Sequence, residues 1–313
     1  MRKLLFSFLI ISLLVLAACG SKDDSEGENK TTDSGEKITI KHELDEITVK
    51  KNPERVVVFD FGMLDTLDTL GIPVIGLPKT NIPSYLSKYE ADEYENTGGL
   101  KEPDFEKIHA LQPDLIIISG RQMDLYEEFA EIAPTLFIQL DTNNYIDSFK
   151  HNVRLVGEIF GKEDEVEDKL AEIDEAINSL QEKTSASDEK ALIVLATGGK
   201  VSAYGPGSRF GLIHDVFGVE AVDPNVDVAT HGQNISFEFI VEKNPDFLFV
   251  IDRDAVVNGE ASAKAVIEND LVKNTTAYQN DQIYYLSPEY WYLSGGGLVS
   301  IKEMINEINQ AFE

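Results

Sequence analysis

Apolar positions along this chain fall into short runs, and two of those runs share one frame. Residues 105–121 read FEKIHALQPDLIIISGR and residues 237–253 read FEFIVEKNPDFLFVIDR. Phe105, Glu106, Ile108, Pro113, Asp114 and Arg121 recur as Phe237, Glu238, Ile240, Pro245, Asp246 and Arg253, at one constant spacing and without a gap. In each copy, apolar residues three and four apart predict a short amphipathic helix. Pro113 and Pro245 end it, because proline lacks the amide that would continue a helix and restrains the residue before it. The runs LIIIS (115–119) and FLFVI (247–251) are continuously apolar. That predicts strands buried on both faces, as in parallel α/β sheets, although periodicity alone leaves a buried helical turn open.

The same alternation extends to both sides of each copy. ITIKHELDEITVK (38–50) predicts an edge hairpin, RVVVFD (55–60) a buried strand, DTLDTLG (65–71) a short helix and PVIGL (73–77) a second strand. A helix near 124–132 and the strand TLFIQL (135–140) follow the first copy. From 145 to 183 there is no strand signal, and Gly161 divides the stretch. Val166, Leu170, Ile173, Ile177 and Leu180 then form one stripe, which makes 164–183 a helix with a single buried face, about 30 Å long. Its apolar pattern is too short for a coiled coil. KALIVLA (190–196) predicts the first strand of a second half, followed by the loop YGPGSRFG (204–211) and a short helix at 212–219. VATHGQN (228–234) is a loop. After the second copy come a helix at 262–270, the strand QIYYLS (282–287), the loop PEYWYLSGGG (288–297) and a final helix at 298–312. The reading is an α/β protein of two lobes, each with a mainly parallel sheet and flanking helices, joined by one long rigid helix. The lobes are placed at 37–162 and 187–313, with the joining helix at 163–186.

The start of the chain changes the compartment. Arg2 and Lys3 precede an apolar run from Leu4 to Leu16, and LAAC ends at Cys19. This is the pattern of a secretory signal over 1–18, with an apolar run short for a membrane span. LAAC resembles the lipobox of bacterial lipoproteins, which implies that Cys19, the one cysteine, is lipidated and anchors the chain outside the cytoplasmic membrane. Residues 19–36 are polar and charged and serve as a flexible tether. The formal charge of −29 argues against nucleic acid and anionic lipid headgroups as partners through bulk charge, and makes any cluster of arginines conspicuous.

Ligands in open α/β sheets sit outside the carboxyl ends of the strands, which is where Arg121 and Arg253 fall. Arg209, in the loop after the second half's first strand, is a third cation. A guanidinium is always charged and carries a fork of donors suited to anionic oxygens. His231 in THGQN and Tyr292 in WYLSGGG offer imidazole and phenolate, both competent ligands for ferric iron, with Tyr290 close enough to confuse the assignment. Trp291, in the same glycine-rich loop, is expected to line the cleft. Nothing in the chain supports an enzyme: GxSxG, HExxH and CxxC are absent, GPGSRFG is not GxGxxG, and the body has no cysteine nucleophile.

Lipobox, paired α/β halves, connecting helix and repeated FExI-PD units together resemble the bacterial iron-siderophore and vitamin B12 substrate-binding proteins of ABC importers, most of all the ferric-catecholate binders of the petrobactin type. The resemblance implies a shallow cleft between lobes in which Arg121, Arg209, Arg253, Trp291, Tyr292 and His231 hold a ferric siderophore. It also implies that His231 and Tyr292 ligate iron left open by a tetradentate chelate. By the same resemblance, Glu106 and Glu238, one in the first turn of each repeated helix, dock on an ABC permease. At those positions a carboxylate also simply favours the helix dipole. The expected protein is a monomeric receptor with no cofactor of its own. A haem or cobalamin receptor of the same fold is the alternative.

Overall fold

The structure is a computed structural model that describes residues 36–313. The signal segment, Cys19 and nearly all of the tether lie outside the described residues. The chain opens with the expected hairpin, β1 (Lys37–Lys41) and β2 (Glu46–Lys50), paired antiparallel. It then builds β3 (Val56–Val58), α1 (Phe61–Thr69), β4 (Gly76–Leu77), β5 (Glu95–Asn96), α2 (Phe105–Leu111), β6 (Leu115–Ile118), α3 (Tyr126–Ala130) and β7 (Thr135–Phe137). These five strands after the hairpin form one wholly parallel sheet in the order β5-β4-β3-β6-β7. Two helices follow, α4 (Tyr145–Phe160) and α5 (Glu163–Thr184), separated at Gly161, whose φ of 60° terminates the first.

The second half runs through β8 (Lys190–Thr197), β9 (Lys200–Tyr204), α6 (Leu212–Asp215), β10 (Glu220–Ala221), β11 (Gln233–Ile235), α7 (Phe237–Lys243) and β12 (Phe247–Asp252). It ends with α8 (Arg253–Val257), α9 (Ala263–Ile267), α10 (Thr276–Gln279), β13 (Ile283–Leu286) and α11 (Leu298–Gln310). Its sheet is mixed, in the order β11-β9-β8-β12-β13 with β10 on β8. β8, β12 and β13 are parallel, whereas β9 turns back antiparallel through Gly198 and Gly199, both at positive φ. A two-glycine turn is what a tight hairpin needs. That strand and β11 were not expected, and β9 places Arg209 after the second strand of this half rather than the first.

The repeat has a structural cause. α2 and α7 have the same length, and each ends on a left-handed residue, Gln112 or Asn244, directly before its proline. The aspartate that follows clamps the opening of the neighbouring strand. Asp114 accepts from the amides of Glu54 and Arg55, at 3.1 Å each, and Asp246 accepts from the amide of Lys190 at 2.9 Å. Each Pro-Asp pair therefore turns the chain out of a helix and sets the register of the first sheet strand of its half.

The two halves share a core. Val56, Leu115 and Leu136 of the first sheet belong to the same buried apolar cluster as Ile193, Phe249 and Leu286 of the second. The stripe of α5 (Val166, Leu170, Ile173, Ile177 and Leu180) is buried in it as the spacing predicts. The last helix, α11, packs on both α5 and α1. Its contact with α1 is close because it is made by backbone. A side chain at Gly62 would meet the Gly295 carbonyl oxygen at 2.6 Å, and one at Gly297 would strike Asp65. The GGG of 295–297 is thus a fitted joint between the halves.

Asp65 completes that joint. It is 1 % exposed, and its two oxygens accept from the amides of Val299 (2.9 Å) and Ser300 (2.8 Å), two of the donors that the start of α11 leaves without helical partners. Tyr85 adds its hydroxyl at 3.2 Å. Burial raises the carboxyl from 3.8 to about 6, although the amides and Tyr85 pull it down. The folded protein therefore holds this proton more tightly than the unfolded chain does. The group's contribution to stability is complete below about pH 4 and is lost as pH rises through about 6. Asp65→Asn removes this titration and costs one charged acceptor. We expect the unfolding free energy of the wild type minus that of the variant, from urea midpoints, to fall by up to ~3 kcal/mol between pH 4 and pH 7. A difference that is flat with pH would contradict the assignment.

Candidate functional site

A cavity of about 480 Å³ opens between the carboxyl ends of the first sheet and the segment 291–296. Arg121 reaches it from a 3-10 turn (Gly120–Leu125) at the end of β6. The turn is fixed by Gln122, which accepts from the Ser119 amide at 3.1 Å and donates to the Leu100 carbonyl at 2.5 Å. Arg209 comes from the other half, on a turn that Asp215 and Ser208 hold through Gly207 and Gly205.

The two guanidiniums share one acceptor. Nη2 of Arg121 donates to the Tyr292 carbonyl at 3.0 Å and Nη2 of Arg209 donates to the same oxygen at 2.7 Å. Arg209 also lies over the Tyr292 ring, 4.3 Å from its centroid. Burial and then the charge of Arg121 lower the Arg209 pKa, which marks two like charges held together by a single oxygen. Tyr292 can present its carbonyl this way because Glu289–Leu293 forms a π-helical turn, where the sequence suggests only a loop. That turn is anchored from both halves. Trp291 donates to Glu307 at 2.6 Å, and Glu289 accepts from the amide (3.1 Å) and hydroxyl (2.7 Å) of Ser84. Trp291 is both 3 % exposed and part of the cavity wall, so it belongs to core and cleft at once.

Arg253 lies beside this arrangement and outside the cavity wall. Its Nε donates to the Tyr292 hydroxyl at 2.8 Å, and Nη1 donates to Thr197 at 3.2 Å. All three arginines therefore meet on one residue, two on its carbonyl and one on its hydroxyl. Tyr290, the rival tyrosine, packs at a tilt against Tyr85, with ring centroids 5.1 Å apart, and takes no part in the wall. His231 sits exposed on the turn beside Thr230; Thr230 lines the cavity and His231 does not. No group of three or more His, Cys, Asp or Glu able to hold a metal ion occurs among the described residues. Glu106 and Glu238 are exposed in the first turns of α2 and α7. The Glu238 pKa is lowered by its own amide and by Ser236.

Sequence reasoning missed Asp60 and Lys101, both in the wall. Asp60 could have been found, since it follows the first buried strand as Arg121 follows its own. Lys101 comes from an irregular segment with no pattern to single it out.

Burial alone would raise the Tyr292 phenol. The hydrogen bond from Arg253 and the charges of Arg209, Arg253 and Arg121 outweigh it, so its pKa falls below the ordinary 10.0. Every other tyrosine with a resolved shift moves upward, Tyr145 and Tyr204 at this site included. In an alkaline ultraviolet titration, Tyr292 should be the first of these shifted tyrosines to ionise, with that step absent in Tyr292→Phe and moved upward in Arg253→Ala. An early step that survives in Tyr292→Phe would refute this.

A family model described as periplasmic binding protein matches residues 56–290. The chain is 48 % identical over 318 residues to the petrobactin-binding protein YclQ of Bacillus subtilis (strain 168), covering 100 % of both. The crystal structure of YclQ superposes with a TM-score of 0.87 at 51 % identity, over 89 % of this chain and 99 % of that one. The periplasmic catecholate-siderophore binding protein VctP of Vibrio cholerae matches with a TM-score of 0.84 at 37 % identity, over 88 % and 100 %.

Proposed function

Because this chain belongs to the periplasmic binding protein family, we propose that it is an extracytoplasmic receptor that binds a ferric catecholate siderophore, petrobactin-like, and delivers it to an ABC permease. The observation that carries the reading is the convergence of Arg121 and Arg209, from opposite halves of an acidic chain, on one oxygen at a cavity. A ferric tris-catecholate carries about three negative charges, since six hard oxygen donors outweigh the ion. Two guanidiniums gathered at the cavity suit such a ligand, because their mutual repulsion falls when an anion binds. The relatives named above are a petrobactin binder and a catecholate-siderophore binder, which does not favour haem or cobalamin. We read the protein as a receptor and not an enzyme, with the iron chelate as cargo and no cofactor of its own. In this reading it is a monomer tethered through a lipid on Cys19, with lobes at 37–162 and 187–313 joined by the helix of 163–186.

Arg253 acts in this scheme through Tyr292, whose lowered phenol suits it to ferric iron. His231 would join it by movement of the exposed turn at 230–231, and only where a tetradentate chelate leaves two iron positions open. Titration of the protein with ferric catecholates tests the reading. Arg121→Ala, Arg209→Ala and Arg253→Ala should each weaken binding by about 1.5–3 kcal/mol, the scale of a hydrogen bond to a charged group. Tyr292→Phe and His231→Ala should shift the visible charge-transfer band of a tetradentate complex and leave that of a hexadentate one in place. Three arginine variants that all bind like the parent would sink the proposal.

Glu106 and Glu238 match by position, one per half, and both are exposed. We assign them to permease docking. The double variant Glu106→Ala/Glu238→Ala should retain its siderophore affinity in solution and lose uptake in cells that lack other receptors. Normal uptake by that variant would refute the assignment.

A further inference from the structure

The cavity wall contains three cationic residues, Lys101, Arg121 and Arg209, and among the described residues one carboxylate, Asp60. A carboxylate in a site for an anion works against binding unless it has a task. Asp60 has one structural task, and it does not need the charge. Its Oδ1 accepts from the Met63 amide at 2.9 Å and caps α1. Asparagine caps a helix about as well as aspartate does. The other oxygen, Oδ2, forms a long ion pair with Nη1 of Arg121 at 3.8 Å, beyond hydrogen-bond length. Arg121 meanwhile spends Nη2 on the Tyr292 carbonyl. An acceptor at the cavity thus lacks a hydrogen-bond donor among the described residues, in a residue whose side chain is only 14 % exposed. A charged acceptor that is partly screened from solvent and has no protein hydrogen-bond donor favours a donor that arrives with the ligand.

We propose that Asp60 is a specificity residue that pairs with an ammonium group in the backbone of the bound siderophore, so that the cavity reads a cation as well as the catecholate anions. This rests on the siderophore reading above. The arginines would hold the iron-bound oxygens, and Asp60 would meet the linker between the catechols. Selectivity of this kind separates chelates with identical iron centres, which arginines alone cannot do.

The test compares two ferric bis-catecholates of equal denticity, one with a secondary-amine linker and one with an ether linker of the same length, on the wild type and on Asp60→Asn. The variant keeps the cap, and its fold is checked by circular dichroism. Loss of the ammonium partner should weaken the amine-linked chelate roughly ten-fold. Removing a negative charge beside Arg121 should tighten the ether-linked chelate, so the two ligands move in opposite directions. If both chelates tighten, or both change equally, Asp60 is only a counter-ion for Arg121 and the proposal is overturned while the receptor reading stands. If the wild type binds neither chelate, the receptor reading fails and takes this proposal with it.

Discussion

One main-chain oxygen sets the terms for the site. The Tyr292 carbonyl holds guanidiniums from two halves of the chain that would otherwise repel each other. It can do so only because a π-helical turn points it outward and because contacts from Glu307 on one side and Ser84 on the other keep that turn in place. The two cations at the cavity are therefore held by the protein's own backbone. In a chain with a net charge of −29, such local concentration of cations needs a scaffold that prevents them from pairing with nearby carboxylates. Arg121 shows how narrow the margin is, since it forms a long ion pair with Asp60 at 3.8 Å while its other nitrogen stays on the Tyr292 carbonyl.

In that scaffold the two halves are held together by more than one helix. The apolar cluster passes from the first sheet to the second through α5 and α11, and the fit of α1 against 294–297 leaves no room for a side chain at Gly62 or Gly297. The buried Asp65 carboxylate, which belongs to the first half, caps a helix that belongs to the second.

Much of this was legible in the residues, and the limits have physical causes. The repeated FExI-PD units gave both helices, both central strands and two arginines at strand ends, because local propensity, burial and turn chemistry agree there. The stripe on α5 was equally plain. The hairpin of β9 was missed because its strand is short and only Gly198-Gly199 advertises the turn; this in turn misplaced Arg209 by one strand. The 288–297 segment looked like a loop because glycines at 295–297 mask a turn that is held by tertiary contacts with Ser84, Tyr85 and Glu307. Such contacts leave no local pattern. The same blindness covers Arg253, whose place behind the Tyr292 hydroxyl depends on where a distant segment lands. It covers His231 too, which matches by position in the chain yet is exposed and does not line the cavity.

The joint between α1 and α11 also governs how the molecule comes to exist. Asp65 and Val299 are separated by 234 positions, and Arg121 and Tyr292 by 171. Contacts of such span repay the entropy of closing the loop between them only after most of the intervening chain is already ordered. The glycines of 295–297 enlarge that cost, being the residues that lose the most freedom on ordering. The sheets and the helices between them can therefore collapse first, and the binding cavity is among the last features to form, when the end of the chain returns to its beginning.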